Sequence, residues 1–158
     1  MRDSRPMIDL KHIVLSGAIL IVGFGPGMAF ATLGQPETSV TADVAQLKGS
    51  IKITDRTSYR VHEIQLSSGT VVREFVGPDG KVFAIAWKGP TIPDLRQTLG
   101  SYFDNYVTAA QAPHLGRNHL QIQQSDLVVQ AGGHMRAFSG RAYLPQAVPS
   151  GVSVGELH

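Results

Sequence analysis

A β-hairpin in the middle of the sequence constrains the fold more than any other feature. Two strand-like runs, Thr70–Val76 and Lys81–Trp87, flank the turn Gly77–Gly80, whose Gly-Pro-Asp-Gly composition favours a tight reversal. The second run is apolar on both faces, with Val82, Ala84 and Ala86 on one and Phe83, Ile85 and Trp87 on the other. A strand of this kind belongs inside a sheet that is covered on both faces. We expect a helix to pack on the face with the small residues.

A long amphipathic helix is predicted directly after this hairpin. Thr91 and Asp94 form an N-terminal capping pattern, and Pro93 is tolerated in a first helical turn. Apolar residues then recur at helical spacing: Leu95, Leu99, Tyr102, Phe103, Tyr106 and Ala110.

The remaining elements are shorter. The patterns predict a short N-terminal helix from Ser39 to Lys48 and further strands at Ile51–Thr54, Tyr59–Leu66, His119–Gln124, Asp126–Ala131 and His134–Leu144, the last two joined at Gly132-Gly133. Helices and strands do not alternate as βαβ units. The predicted fold class is therefore α+β, with an antiparallel β-sheet of about five or six strands in hairpins, packed against one long amphipathic helix plus a short N-terminal helix.

The first 31 residues have the pattern of a secretion signal. Basic residues precede the apolar run Ile13–Phe24, and Ala29–Ala31 supplies a small-x-small cleavage pattern. An uncleaved membrane anchor is the alternative, but Gly25–Gly27 interrupts the apolar run before it reaches the roughly 20 residues that a membrane span needs.

The predicted domain division follows from these elements. Residues 1–31 are expected to be a cleavable signal peptide, residues 32–145 a single α+β domain, and residues 146–158 a loose C-terminal tail. The expected location is periplasmic or secreted, by the general secretion route, with no stable membrane span after processing.

Composition excludes several classes of function. Fourteen Lys and Arg face twelve Asp and Glu without any basic run, so a nucleic-acid partner is not expected. The absence of cysteine removes disulfides, thiolate metal sites and a cysteine nucleophile.

Catalytic motifs are absent from the sequence as well. His62-Glu63 lacks the second histidine of a zincin helix, because Leu66 stands in its place, and no Gly-x-Ser-x-Gly elbow is present. His114 and His119 come without a paired carboxylate in the pattern that a metal site needs. We assign no catalytic residue, no metal site and no cofactor, and whether the protein is an enzyme stays open, with the balance against it.

Arginine and histidine side chains form the candidate binding cluster. His134 and Arg136 are expected to share one strand face, Arg141 lies on the other face of that strand, and Arg73 and Arg96 add further guanidinium groups. Arginine favours planar anionic groups. The cluster is therefore either an anion-binding site or a set of ion pairs with acids at the domain edge, and the second reading is the commoner one.

Two longer segments resemble a known family. Thr70–Val107 and Asp126–Pro145 are similar to signature stretches of an uncharacterised family of exported proteobacterial proteins, domain of unknown function 2844. The resemblance extends over nearly all of the chain after the leader. It implies an exported single-domain protein and brings no activity, ligand or catalytic residue.

The leading functional hypothesis is a non-catalytic exported accessory or binding protein, with a possible protein partner in the cell envelope. The alternative is a small exported hydrolase-like enzyme that uses His134 with a spatially adjacent acid. A protein inhibitor would need a rigid protruding loop, for which Gln111–Asn118 is the candidate.

Overall fold

The computed structural model describes residues 32–38, 50–111 and 119–158, and a seven-stranded sheet organises them. The strands are β1 (Ile51–Asp55), β2 (Arg60–Gln65), β3 (Val71–Val76), β4 (Val82–Gly89), β5 (His119–Gln123), β6 (Val128–His134) and β7 (Ala137–Tyr143). Their order is β1-β2-β3-β4-β7-β6-β5, and all neighbours are antiparallel. The α+β class is confirmed, with seven strands instead of five or six. The predicted helix Ser39–Lys48 lies outside the described residues.

One helical segment connects β4 to β5. It consists of α1 (Leu95–Leu99), a 3-10 turn (Gly100–Tyr102) and α2 (Phe103–Ala110). The Asp94 carboxylate caps α1 by accepting hydrogen bonds from two backbone N–H groups of its first turn. Gly100, with φ 52°, separates the two helices at a point where any side chain would collide with Thr32. Within the described ranges, no helix is long and apolar enough to cross a membrane.

The two faces of the sheet are covered by different parts of the chain. The helix face is the one that packs against the helical segment, and its buried residues include Ile64, Val72, Ile85, Trp87, Val129 and Ala142, clustered with Leu99. The tail face is the opposite one, where Phe75, Phe83, Ala84 and Ala86 are buried together with Leu157. Burial on both sides explains why β4 is apolar from Val82 to Trp87.

An irregularity in β4 changes which side chains share a face. The β3–β4 register shifts between Phe75 and Val76, and Phe83 thereby joins Ala84 and Ala86 in the tail-face cluster. The expectation that the helix packs on the small residues of β4 is therefore wrong. The helical segment lies over the larger residues, and the residues after β7 cover the alanines.

The C-terminal segment, residues 146–158, was expected to be a loose tail and instead packs on the tail face. Leu157 is fully buried there beside Phe75 and Phe83. Short 3-10 turns at Pro145–Ala147 and Val154–Glu156 shape the segment. Val148 and Val152 pack against the same cluster. Because Pro, Gly and Ser residues interrupt these few apolar residues, they show no helix or strand periodicity, and the sequence pattern missed the contact.

The β6–β7 hairpin turns beyond the two glycines that were expected to form its turn. His134 pairs with Ala137, so Met135 and Arg136 make the reversal, and Arg136 adopts a left-handed φ of 66°. Gly133 lies inside β6, where a Cβ atom would collide with the carbonyl oxygen of Ala137. Gly133 therefore allows β6 and β7 to lie close together and does not form the turn.

Candidate anion-binding groove

Polar side chains of the tail face form two rows across the strands. Cross-strand partners in the first row are Lys52, Glu63, Arg73, Ala86, Arg141, Gln130 and Gln121. In the second row they are Val71, Lys88, Ser139, Gly132 and His119. Because paired residues of adjacent strands project on the same face, the register brings Arg73, Lys88 and Arg141 to one region.

These rows line a groove of about 720 Å³ beside the C-terminal segment. Its charged and polar lining consists of Arg73, Lys88, His119, Gln130, Ser139, Arg141 and His158. No acidic side chain of the described residues contributes to this lining. We call it the cationic groove.

Arg73 stands at the edge of the groove and is neutralised there. Its Nε donates to Oε2 of Glu63 at 2.7 Å, and its Nη1 donates to the carbonyl oxygen of His158 at 3.0 Å. The ion pair is half-exposed, which limits its contribution to stability to roughly 0–1 kcal/mol. For Arg73 the structure therefore supports an ion pair with a neighbouring acid.

Arg141 differs from Arg73 because its partners carry no charge. Its Nε donates to Oε1 of Gln130 at 2.8 Å, and its Nη1 donates to the carbonyl oxygen of Val154. Among the described residues no carboxylate pairs with it. These acceptors hold the guanidinium in place without cancelling its positive charge.

Lys88 is a groove residue that the sequence reasoning missed. It lies near the end of β4, paired with Ser139, and it is exposed. Its ammonium group forms no hydrogen bond or ion pair with any residue in the described part of the chain. The alternation of side chains along a strand could have identified it, because Lys88 follows Ala86 by two positions and therefore projects on the same face.

The structure separates the other predicted binding residues from the groove. Arg96 belongs to α1 on the opposite side of the sheet, with its Cζ 4.3 Å from the centroid of the Phe103 ring, a cation–π contact. Arg136 lies in the β6–β7 turn and His134 at the end of β6, both exposed. The expectation that His134 and Arg136 share a strand face is wrong, because Arg136 is part of the turn.

A different histidine, His62, contacts an acid. Its Nε2 lies 2.9 Å from Oε1 of Glu37, although neither ring nitrogen has a well-aligned hydrogen bond within the described residues. Partial burial raises the pKa of Glu37, but the guanidinium of Arg60 and His62 together hold that pKa below its usual value. His62 is fully buried, so its ring has no access to a substrate, whereas Glu37 is partly exposed.

Glu74 is the second buried ionisable group of the helix face. It lies opposite His62 on β3 and is 1% exposed. Burial raises its pKa to about 8, and its Oε2 has no hydrogen-bond partner among the described residues. It lines a small cavity of about 100 Å³ together with Leu66, Val72, Pro93, Asp94, Gln97 and Thr98. Glu74 is therefore largely uncharged at neutral pH, and it lies on the opposite face of β3 from its neighbour Arg73.

Comparison with known proteins places the chain in a family. No curated protein and no solved structure matches it. A family model does match, over residues 29–157. That range includes the sheet, the helical segment and nearly all of the groove lining. The chain therefore belongs to the family described as Protein of unknown function (DUF2844).

Proposed function

We propose that this protein is a non-catalytic exported binding protein, and that its cationic groove holds an anionic group of a partner in the cell envelope. One observation carries the proposal: Lys88 and Arg141 line the same groove, and no acidic side chain of the described residues lies there to neutralise them. Uncompensated positive charges in a concave site attract anions and orient them. The leader pattern of residues 1–31 supports export.

The contacts of Arg141 favour binding further. Gln130 and Val154 accept hydrogen bonds from Nε and Nη1 of its guanidinium, which leaves Nη2 without a hydrogen bond among the described residues. A side chain that is already held in one conformation loses less freedom when a ligand arrives. The groove is thus organised before an anion enters it.

No contact in the groove favours hydrolysis. Ser139 and His119 both line it, on either side of Gly132 in their row, and no hydrogen bond joins these two side chains in the described structure. A nucleophile and its base need hydrogen-bond contact. The described residues also give His134 no acid partner, so no contact favours the hydrolase-like alternative.

The test is equilibrium binding of two labelled polyanions, a short oligoglutamate and a short oligogalacturonate, to the exported protein. We expect at least one of them to bind, with lower affinity at raised salt. Lys88→Gln should weaken that binding about tenfold, a loss typical of one charge-assisted contact.

Lys81→Gln is the matched control, because Lys81 is also exposed and comes directly before β4, at the opposite end of that strand from Lys88. It should leave the affinity unchanged. The proposal fails if neither polyanion binds, or if the Lys88 and Lys81 variants lose affinity equally.

A further inference from the structure

A second cleft, of about 670 Å³, lies on the tail face on the other side of the C-terminal segment. We call it the polar cleft. Its lining includes Lys52, Thr54, Arg56, Thr57, Ser58, Tyr59, Glu63 and Glu156. Arg73 and His158 line both this cleft and the cationic groove. The two sites therefore adjoin and could hold one extended ligand.

The polar cleft carries more hydroxyl groups than the cationic groove, whose lining has one, that of Ser139. The side chains of Thr54, Thr57 and Ser58 form no hydrogen bond with any residue that the structure describes. Their backbone is nevertheless well held. The N–H of Arg56 donates to the carbonyl oxygen of Tyr59 at 2.8 Å. The cleft thus presents free donors and acceptors in fixed positions.

An aromatic ring completes the lining. The ring of Tyr59 lies 5.9 Å from that of Phe75 and 6.1 Å from that of Phe83, measured between centroids. These two rings support Tyr59, which is itself only half-buried. A supported aromatic ring beside free hydroxyls suits a ligand that has an apolar C–H surface edged by hydroxyl groups. A sugar ring has this chemistry.

We propose that the partner's anionic group belongs to an acidic saccharide, a chain of uronate-type sugars. Its carboxylates occupy the cationic groove, and a neighbouring sugar ring lies against Tyr59 in the polar cleft. This inference rests on the proposed function and adds the chemical class of the ligand. An acidic peptide such as oligoglutamate suits the polar cleft less well, because it has no hydroxyl-edged ring to lie against Tyr59 and to hydrogen-bond with the hydroxyl groups of the lining.

The test compares the same two probes, oligogalacturonate and oligoglutamate, by calorimetry. The double variant Thr57→Val/Ser58→Ala removes two hydroxyls from the polar cleft and no hydrogen bond within the described structure. We expect it to weaken oligogalacturonate binding about tenfold, since each hydrogen bond is worth a factor of roughly two to ten. Oligoglutamate binding should be unaffected. Thr108→Val on α2, away from both clefts, is the control.

The outcomes separate the two proposals. Binding of oligoglutamate alone, weakened by Lys88→Gln, overturns the saccharide and leaves the anion-binding function standing. Binding of oligogalacturonate that the double variant does not weaken overturns the role of the polar cleft. Binding of neither probe overturns both proposals. Fully methyl-esterified oligogalacturonate should bind weakly, because it keeps the hydroxyls and loses the carboxylates.

Discussion

The two faces of the sheet bury apolar surface to very different extents. The helix face lies under the helical segment and forms the larger buried cluster, including Ile85, Trp87 and Leu99. The tail face is apolar mainly along a strip around Leu157, and beyond that strip it carries charged side chains such as Lys88. One face mainly stabilises the fold, whereas the other has surface left for recognition.

The length of each cover explains the difference. A helix across the tail face would remove Lys88 and Arg141 from water, which costs free energy unless each charge finds a partner. The C-terminal segment is short and anchored by one buried leucine, Leu157. It leaves a cleft on each side of itself. Because the C-terminal segment is narrow, it leaves the charged groove open to solvent on a sheet whose other face is covered by the helical segment.

The largest expected effect comes from a matched pair of substitutions, Leu99→Ala and Leu157→Ala. Both leucines are fully buried, one under each cover, and each truncation should lower the free energy of unfolding by about 2–5 kcal/mol. Only Leu157→Ala should also change polyanion affinity, because the C-terminal segment borders both clefts. Urea unfolding and probe binding measure the two quantities. If Leu157→Ala costs less than about 0.5 kcal/mol, the segment does not cover the tail face.

The next effect concerns Glu74, the buried acid of the helix face. Its folded-state pKa of about 8 lies above the usual 4.5. As the pH rises, Glu74 therefore loses its proton in the unfolded chain before it does so in the folded protein. Stability from this group is therefore full below about pH 4.5 and declines as pH rises to about 8. Glu74→Gln should remove the decline and be more stable than the wild type by a few kcal/mol above pH 8.

Thermal unfolding from pH 5 to 9 measures this effect. Glu156→Gln, which changes an exposed acid of the tail face, is the control and should keep the wild-type pH profile. Parallel profiles for Glu74→Gln and the wild type would show that Glu74 ionises as it does in water.

Local sequence signals predicted those parts of the fold that local chemistry determines. The Gly77–Gly80 turn forms as expected. The capping pattern placed the start of the helix within a few residues, but Asp94 and not Thr91 is the N-cap, so Pro93 precedes the helix instead of lying in its first turn. The turn of the second hairpin was misplaced because Gly132-Gly133 carries the composition of a turn. Gly133 instead allows β6 and β7 to approach closely, a requirement that only the partner strand reveals.

The groove was predictable only in part, because it depends on register between distant strands. Arg73 and Arg141 were identified by residue type, but their common partner Ala86 follows from the pairing of β4 with both β3 and β7. Nothing in the sequence fixes that strand order. Arg96 and Arg136 have the same chemistry and lie elsewhere, so residue type without register selects too many arginines.

The smallest expected effect comes from Arg136, which lies in the β6–β7 turn and outside both clefts. Arg136 has φ 66°, a conformation that costs a non-glycine residue roughly 1 kcal/mol and costs glycine little. Arg136→Gly should therefore change stability by no more than about 1 kcal/mol, in the stabilising direction, because relief of this strain outweighs the greater freedom of glycine in the unfolded chain.

Polyanion affinity separates this arginine from those of the groove. Arg136 does not line either cleft, so Arg136→Gly should bind both probes as the wild type does, whereas Arg141→Gln should bind them about tenfold less tightly. Both substitutions remove one positive charge, so a purely long-range attraction would weaken binding equally in the two variants. An unequal loss would instead show that the anion is held by contact with the row that β4 and β7 align on the tail face. Equal losses would mean that net charge, and not the groove, determines affinity.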